Sequence, residues 1–491
     1  MLFTEMTHRV RLHHQRTIEA VNVSGKRVVR RFGEFLDDVM DLRMRLEAWG
    51  LRPGRLVGLL APNCYESLVW DMAILVHGAV SVGLTESHAQ TDPSELMERF
   101  ELSLLIMPNA NGVAMSLSLS EEPGGTGSSA VRERAIVDGA ADLLTRAFSS
   151  GTSGYLKGLN ISRRGTEALV AQFVESFGVS SRDRHLIFLP LSNFQQRMIF
   201  YMCLYYGVSI RLATITGFFK ACSEFQPSFL VAPPAIFQNL KAIAAASNDP
   251  YRTLAELFGG NFRYAICGMA PVRPGVLEFF TSLGFDVFEV YGVVECGMVS
   301  WNRPGHTLVG SVGQVIPGVS VELAEDGEIV VRKATPLASG YFNASLEDSA
   351  ATYLSPNTIA TGDIGWFDAD GFLYLQGRKK NVIVTAGGAK FHPEQVELAL
   401  ADRHHQQFDD IAVVVGPDGM TLYAIVVLTK FGGKNQEEIA NDIMNSSRAL
   451  PVHQQVQNVR FTSRPFAVED GTITRNMKKD RGRIRAIYCS S

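Results

Sequence analysis

From Phe35 to Glu295 the chain alternates stretches of helical apolar spacing with short apolar runs of strand length, and this alternation constrains the fold most. Phe35, Val39, Leu42, Leu46 and Trp49 recur at helical spacing and stop at Gly50, which predicts a helix over 32–49. Residues 55–60 then read as a buried strand, 65–76 as a helix and 78–84 as the next strand. Further on, 164–177 reads as a helix, 184–189 as a strand, and an apolar helix follows residues 191–197. Strands are expected at 229–232, 263–267 and 286–291, with a helix at 276–283. Parallel strands need long crossovers, and interleaved helices supply them, so the pattern predicts an α/β fold with largely parallel sheets. Several strands end in small or turn residues, which places loops at one sheet edge, where such folds bind ligands.

The chain has the material for a large core, since 46% of its 491 residues are apolar. At that length roughly two to four domains are expected. A net charge of −4 offers no general attraction for nucleic acid or an anionic membrane, so a polyanionic substrate needs local cationic groups. Six cysteines without a CxxC pair or zinc spacing read as reduced, buried thiols of a cytoplasmic protein. Residues 1–16 lack the apolar core of a secretory signal, and the run 68–84 is broken by Asp71 and His77, so no membrane span is expected.

After Gly310 the texture changes. Residues 319–323 and 328–332 alternate at period two around Asp326-Gly327, a hairpin signature. Gly377-Arg378-Lys379-Lys380-Asn381 is a basic break that reads as a linker. Beyond it, helices at 393–401 and 436–443 with strands at 411–415 and 422–428 predict a small α+β domain. The boundary is expected between 378 and 379, with domains 1–378 and 379–491. Residues 140–146 read as a helix, and 118–129 as a loop or disordered insertion.

Between these elements lies Phe148-Ser149-Ser150-Gly151-Thr152-Ser153-Gly154-Tyr155-Leu156-Lys157-Gly158. Glycines admit backbone N–H groups close to phosphate oxygens, hydroxyls donate further hydrogen bonds, and Lys157 adds a point charge. It is not a Walker A loop, because no Gly-Lys-Ser/Thr follows at the required spacing.

This stretch, Tyr291-Gly292-x-x-Glu295, Thr361-Gly362-Asp363 and Gly377-Arg378-Lys379-Lys380 occur in that order. By these residues the chain resembles the adenylate-forming superfamily of acyl-CoA synthetases, peptide-synthetase adenylation domains and luciferases. Leu189-Pro190-Leu191-Ser192-Asn193, Ile383 to Gly388 and the ending Glu469 to Lys478 look most like bacterial long-chain acyl-CoA synthetases. The resemblance implies a large N-terminal domain with parallel sheets and a β-rich subdomain, plus a small mobile C-terminal domain. It implies that ATP and Mg²⁺ activate a carboxylic acid as an acyl-adenylate, with coenzyme A as the default acceptor. An amino acid (as in coronafacate-type amide ligases) or a carrier protein are the other acceptors, and a silent scaffold is the non-catalytic alternative.

The residue roles come from the same resemblance. Ser149, Ser150, Gly151, Thr152, Ser153, Gly154 and Lys157 would hold the β- and γ-phosphates. Glu295 would ligate Mg²⁺, and Asp363, assisted by Arg378, would bind the ribose hydroxyls. Gly268, Met269, Ala270 and Pro271 would frame adenine with Tyr291, whose neighbour Gly292 would border the acyl pocket with Asn193, Gly268 and Gly297. An apolar pocket is expected from the Phe/Tyr/Met-rich segment 194–206. Lys478 would bridge the attacking carboxylate and the α-phosphate, and Lys380 would be the hinge. The chain departs from the family pattern at Leu156, Val294, Asn193 and Val384, where proline, threonine, histidine and lysine are usual, and the segment 105–147 is compressed.

Overall fold

The computed structural model describes residues 2–22, 24–85, 88–107, 142–150, 156–384, 388, 390–404, 407–428, 435–467, 470–473 and 479–489. Gly151, Thr152, Ser153, Gly154, Lys478 and the segment 118–129 lie outside the described residues. Ser149, Ser150 and Lys157 are described by their backbones.

Among the described residues the largest sheet has nine strands. Its order is Gln314–Val315, Gly297–Trp301, Val287–Val293, Tyr264–Cys267, Phe229–Ala232, Arg184–Ile187, Ser209–Leu212, Thr17–Val21 and Arg27–Arg31. From Val287–Val293 across to Thr17–Val21 every pairing is parallel, and antiparallel strands flank both ends. Successive residues of these strands enter different cores. Ile187, Phe229, Val231, Tyr264, Ile266, Phe288 and Val290 face one, while Leu186, Leu230, Ala232, Ala265, Cys267 and Val287 face the other. Burial on both faces explains why the strands read as continuous apolar runs. One core is closed by helices Phe218–Phe225, Pro234–Ala245, Pro250–Phe258 and Pro274–Ser282. The other holds helices Phe32–Ala48, Tyr65–His77, Arg163–Phe177 and Phe194–Tyr206 and also takes Val57, Leu59, Leu144, Leu159 and Ile161 from a second sheet.

That second sheet runs Ala338–Phe342, Leu156–Ser162, Leu143–Ser150, Val80–Gly83, Leu56–Leu59, Leu104–Ile106. The helix expected over 140–146 is not there, because Leu143–Ser150 is a strand between Val80–Gly83 and Leu156–Ser162. Local propensity left the choice open, and tertiary pairing decided it. Thr145 shows the force involved. Its hydroxyl is completely buried, donates to the Ser81 carbonyl and accepts from Arg197 Nη2 at 2.7 Å. Arg197 pairs with Asp71 at 3.1 Å, and the second oxygen of Asp71 accepts the Tyr201 hydroxyl at 2.5 Å. Two helices and two strands thus share one buried charge pair.

The alternating segments after Gly310 form an antiparallel sheet of Val319–Leu323, Glu328–Lys333, Thr358–Phe367, Tyr353–Ser355 and Leu373–Arg378. Leu323 pairs with Ile329 across the Asp326-Gly327 turn, where Gly327 has φ +79°. Beyond Arg378 comes one 3₁₀ turn, Lys379–Asn381, and then a unit with its own core. There Asp410–Val415 and Leu422–Val427 pair antiparallel, and Asn458–Thr462 adds in parallel. Ile411, Val413, Ala424 and Val426 face helices Pro393–Arg403 and Gln436–Ser447, while Ala412, Val414 and Ile425 face Ile484 of helix Arg481–Tyr488. The sequence reading passed over that last helix, the Met6–Leu12 helix and the Thr17–Val21/Arg27–Arg31 hairpin, all of them short.

Candidate active site

Two turns after strands of the large sheet and two adjacent strands of the antiparallel sheet carry the expected residues Gly268–Pro271, Glu295, Asp363 and Arg378. The turn Gly268-Met269-Ala270-Pro271 follows strand Tyr264–Cys267. Met269 has φ +73°, a left-handed conformation that side chains other than glycine rarely adopt, and it is 43% exposed. The turn is held from beneath by Glu289, whose Oε1 accepts the Val272 N–H at 3.4 Å. Burial pushes the Glu289 carboxyl up to about 8, against a smaller opposing effect of that N–H, so it is predominantly neutral at pH 7. Sequence reasoning missed Glu289, although a lone acid inside the apolar run 287–291 was a usable signal.

Tyr291 lies two residues further along the same strand. Its ring is buried with Cys296, Val299, Val312 and Ile329, and its hydroxyl donates to Asp363 Oδ2 at 2.9 Å. Asp363 and Arg378 are register partners on adjacent strands, and Arg378 Nε meets Asp363 Oδ1 at 2.6 Å. Arg378 also donates to the Thr361 carbonyl at 3.3 Å, and the Thr361 hydroxyl accepts the Asp363 N–H at 3.1 Å. Three residues from three separate sequence motifs therefore meet as a Tyr–Asp–Arg chain whose guanidinium remains partly exposed.

Gly292 allows the next turn. A Cβ there would lie 2.5 Å from the Gly297 carbonyl oxygen, so the backbone closes only without a side chain. The turn carries Glu295, whose Oε1 accepts the Tyr341 hydroxyl at 2.8 Å. Tyr341 belongs to strand Ala338–Phe342, which pairs with Leu156–Ser162, the strand that leaves the Gly/Ser stretch. On the other arm Ser149 stands opposite Lys157 and Ser150 opposite Leu156. Glu295 is thus built onto the same sheet edge as the two ends of that stretch. A single carboxylate is the donor set that suits Mg²⁺ when phosphates and water complete its octahedron. Among the described residues no group of three His, Cys, Asp or Glu side chains forms a metal cage.

The other expected residues are placed differently. Asn193 is exposed and caps helix Phe194–Tyr206, its side-chain oxygen accepting the Gln195 N–H at 3.0 Å. Gly297 has φ +83°, and a Cβ there would meet Leu337, Leu169 and Lys333, so that side of it faces packed residues. Lys333 was also missed. Its buried amine has no hydrogen-bond partner among the described residues, and burial lowers its pKa. Lys380 is exposed in the 3₁₀ turn, beside Lys379, which bonds Glu328 and Asp326, each at 2.7 Å.

The family model for AMP-binding enzymes matches residues 11–342. The chain belongs to that family. It is an AMP-forming, acid-activating ligase of the adenylate-forming superfamily. It is similar to long-chain-fatty-acid–CoA ligase FadD15 of Mycobacterium bovis, 25% identical over 548 aligned positions covering 93% of this chain and 90% of that protein. In fold it is similar to ATP-bound MatB from Rhodopseudomonas palustris, with a TM-score of 0.77 at 19% identity, over 99% of this chain and 98% of that one. It is likewise similar to the amide bond synthetase McbA from Marinactinospora thermotolerans, with a TM-score of 0.72 at 22% identity, over 98% and 99%. Among the described residues no helix of this AMP-binding enzyme is long and apolar enough to cross a membrane.

Proposed function

We propose that the chain joins an apolar carboxylic acid to coenzyme A through an acyl-adenylate. In the first step a carboxylate oxygen attacks the α-phosphorus of ATP, and the bond to the β-phosphate oxygen breaks to release pyrophosphate. In the second the thiolate of coenzyme A attacks the acyl carbon, and the C–O bond to AMP breaks. The observation that carries this reading is the meeting of Tyr291, Asp363 and Arg378 beside the Glu295 turn.

Both substrates of the first step are anions, so alignment and charge neutralisation dominate the barrier. Asp363 accepts hydrogen bonds from the ribose hydroxyls, with Arg378 orienting it. Residues 149–154 and Lys157 hold the β- and γ-phosphates. Glu295 supplies one oxygen to Mg²⁺, which neutralises phosphate charge when bound. The turn of residues 268–271 frames adenine, Lys478 bridges carboxylate and α-phosphate, and Lys380 is the hinge between two domains, 1–378 and 379–491. The acid lies toward Asn193 and Gly297, against the apolar helix Phe194–Tyr206.

Mass spectrometry of reactions with ATP, Mg²⁺ and a panel of carboxylic acids tests this. Each acid is run with coenzyme A, with mixed amino acids, and with neither. Acyl-CoA from one class of acid is expected; amides with coenzyme A ignored would move the chain to the amide ligases. Absence of every AMP-linked product would overturn the adenylating reading. Lys478→Ala is expected to lower adenylate formation by about a hundredfold or more while the protein stays folded.

A further inference from the structure

Thr361-Gly362-Asp363 is a bulge in strand Thr358–Phe367. On the neighbouring strand Val330 pairs with Ala360 and Glu328 with Ile364, so residues 361–363 stand opposite the single residue Ile329. A bulge re-aims its side chains and leaves its backbone groups without ladder partners. Here side chains serve those groups. The Thr361 hydroxyl donates to the Ile329 carbonyl at 2.9 Å. Gly362 has φ +73°, a conformation that costs glycine little, and its N–H donates to Glu328 Oε1 at 3.0 Å. The other oxygen of Glu328 accepts Lys379 Nζ at 2.7 Å.

Gly362 directly precedes Asp363, and Lys379 directly follows Arg378. One carboxylate therefore holds the residue before Asp363 and the residue after Arg378, and the Asp363–Arg378 pair at 2.6 Å closes the ring. Lys379 also meets Asp326 at 2.7 Å, but both side chains of that pair are 49% exposed, whereas that of Glu328 is 12% exposed. Solvent screens the contact with Asp326 far more than the one with Glu328. Glu328 belongs to none of the ordered sequence motifs, yet it ties two of them together.

We propose that Glu328 is a positioning residue for nucleotide binding. It fixes both ends of the Asp363–Arg378 pair, so that the Asp363 carboxylate is held at the angle at which it receives the ribose hydroxyls. The inference rests on the reading of Asp363 as the ribose ligand. Two neighbouring hydroxyls and two carboxylate oxygens match only at one orientation, so a bulge left to shift loses that match even while the chain stays folded.

The test is ATP–pyrophosphate exchange by the full chain, using the carboxylic acid that the unaltered protein activates fastest and comparing ATP with 2′,3′-dideoxy-ATP. The unaltered protein is expected to show a KM about tenfold higher for the dideoxy nucleotide. Glu328→Ala is expected to raise the KM for ATP about fivefold while changing that for dideoxy-ATP less than about twofold, because the hydroxyls being positioned for are gone. Equal fractional rises for the two nucleotides, or a KM for ATP indifferent to the change, would overturn the proposal. If Glu328→Ala does not fold, Lys379→Met enters the same comparison with an expected rise of about twofold to threefold for ATP alone, and Lys379→Arg is expected to restore the unaltered value. An unaltered protein that uses both nucleotides equally well is a separate result, which removes Asp363 as the ribose ligand first and this inference with it.

Discussion

Arg197 and Arg481 are both arginines held by carboxylates, yet they sit in opposite settings. The Arg197–Asp71 pair is 2% and 3% exposed, balanced one charge to one, and shared by two helices and two strands. Around Arg481 and Lys479 stand three carboxylates, Glu394, Glu397 and Asp410, with side chains between 10% and 38% exposed. In the first network desolvation is nearly complete, so loss of one partner strands a charge in the core. In the second, spare carboxylates and solvent blunt any single loss. The same chemistry thus welds the large body in one place and ties Lys479 and the helix Arg481–Tyr488 to the helix Pro393–Arg403 in the other.

Four changes sharpen or break that contrast. Asp71→Asn is expected to destabilise the protein by about 3–5 kcal/mol, measured by urea unfolding followed by fluorescence. Glu397→Gln is expected to cost less, about 1–3 kcal/mol, since Glu394 and Asp410 still face the cations; equal losses would remove burial as the discriminator.

Glu289 tests burial without a counter-charge. Its carboxyl stays protonated in the folded protein up to about 8, whereas the unfolded chain releases that proton near 4.5. Between those values the folded state binds more protons, so stability falls as pH rises, by a few kcal/mol across the window. Glu289→Gln should flatten that slope in thermal melts at a series of pH values. Tyr291→Phe, which removes one hydrogen bond to Asp363, is expected to cost about 1–2 kcal/mol and to raise the KM for ATP a fewfold. Both effects should be visible in melts and in exchange kinetics.

The candidate site was partly legible before any tertiary structure. Asp363, Arg378, Glu295 and Tyr291 were named from ordered motifs, and the structure brings Tyr291, Asp363 and Arg378 into one chain with Glu295 on a neighbouring turn. The ring of Tyr291 is buried among apolar side chains, a setting no motif specified. Glu289 and Lys333 went unseen because their meaning depends on what buries them. The strand at Leu143–Ser150 was read as a helix over 140–146 because its pairing partners stand up to about sixty residues away in sequence.

By itself the sequence determined the α/β class, the change of texture after Gly310 and the order of the glycine-, hydroxyl- and charge-bearing motifs. Those properties are local, set by the period of apolar residues and by short runs of glycine, hydroxyl and charge. Tertiary structure alone decided that Arg197 meets Asp71 across 126 positions and that Glu397 meets Arg481 across 84. Such contacts depend on which helix faces lie against which strands, and a buried charge takes whatever partner that packing brings within reach.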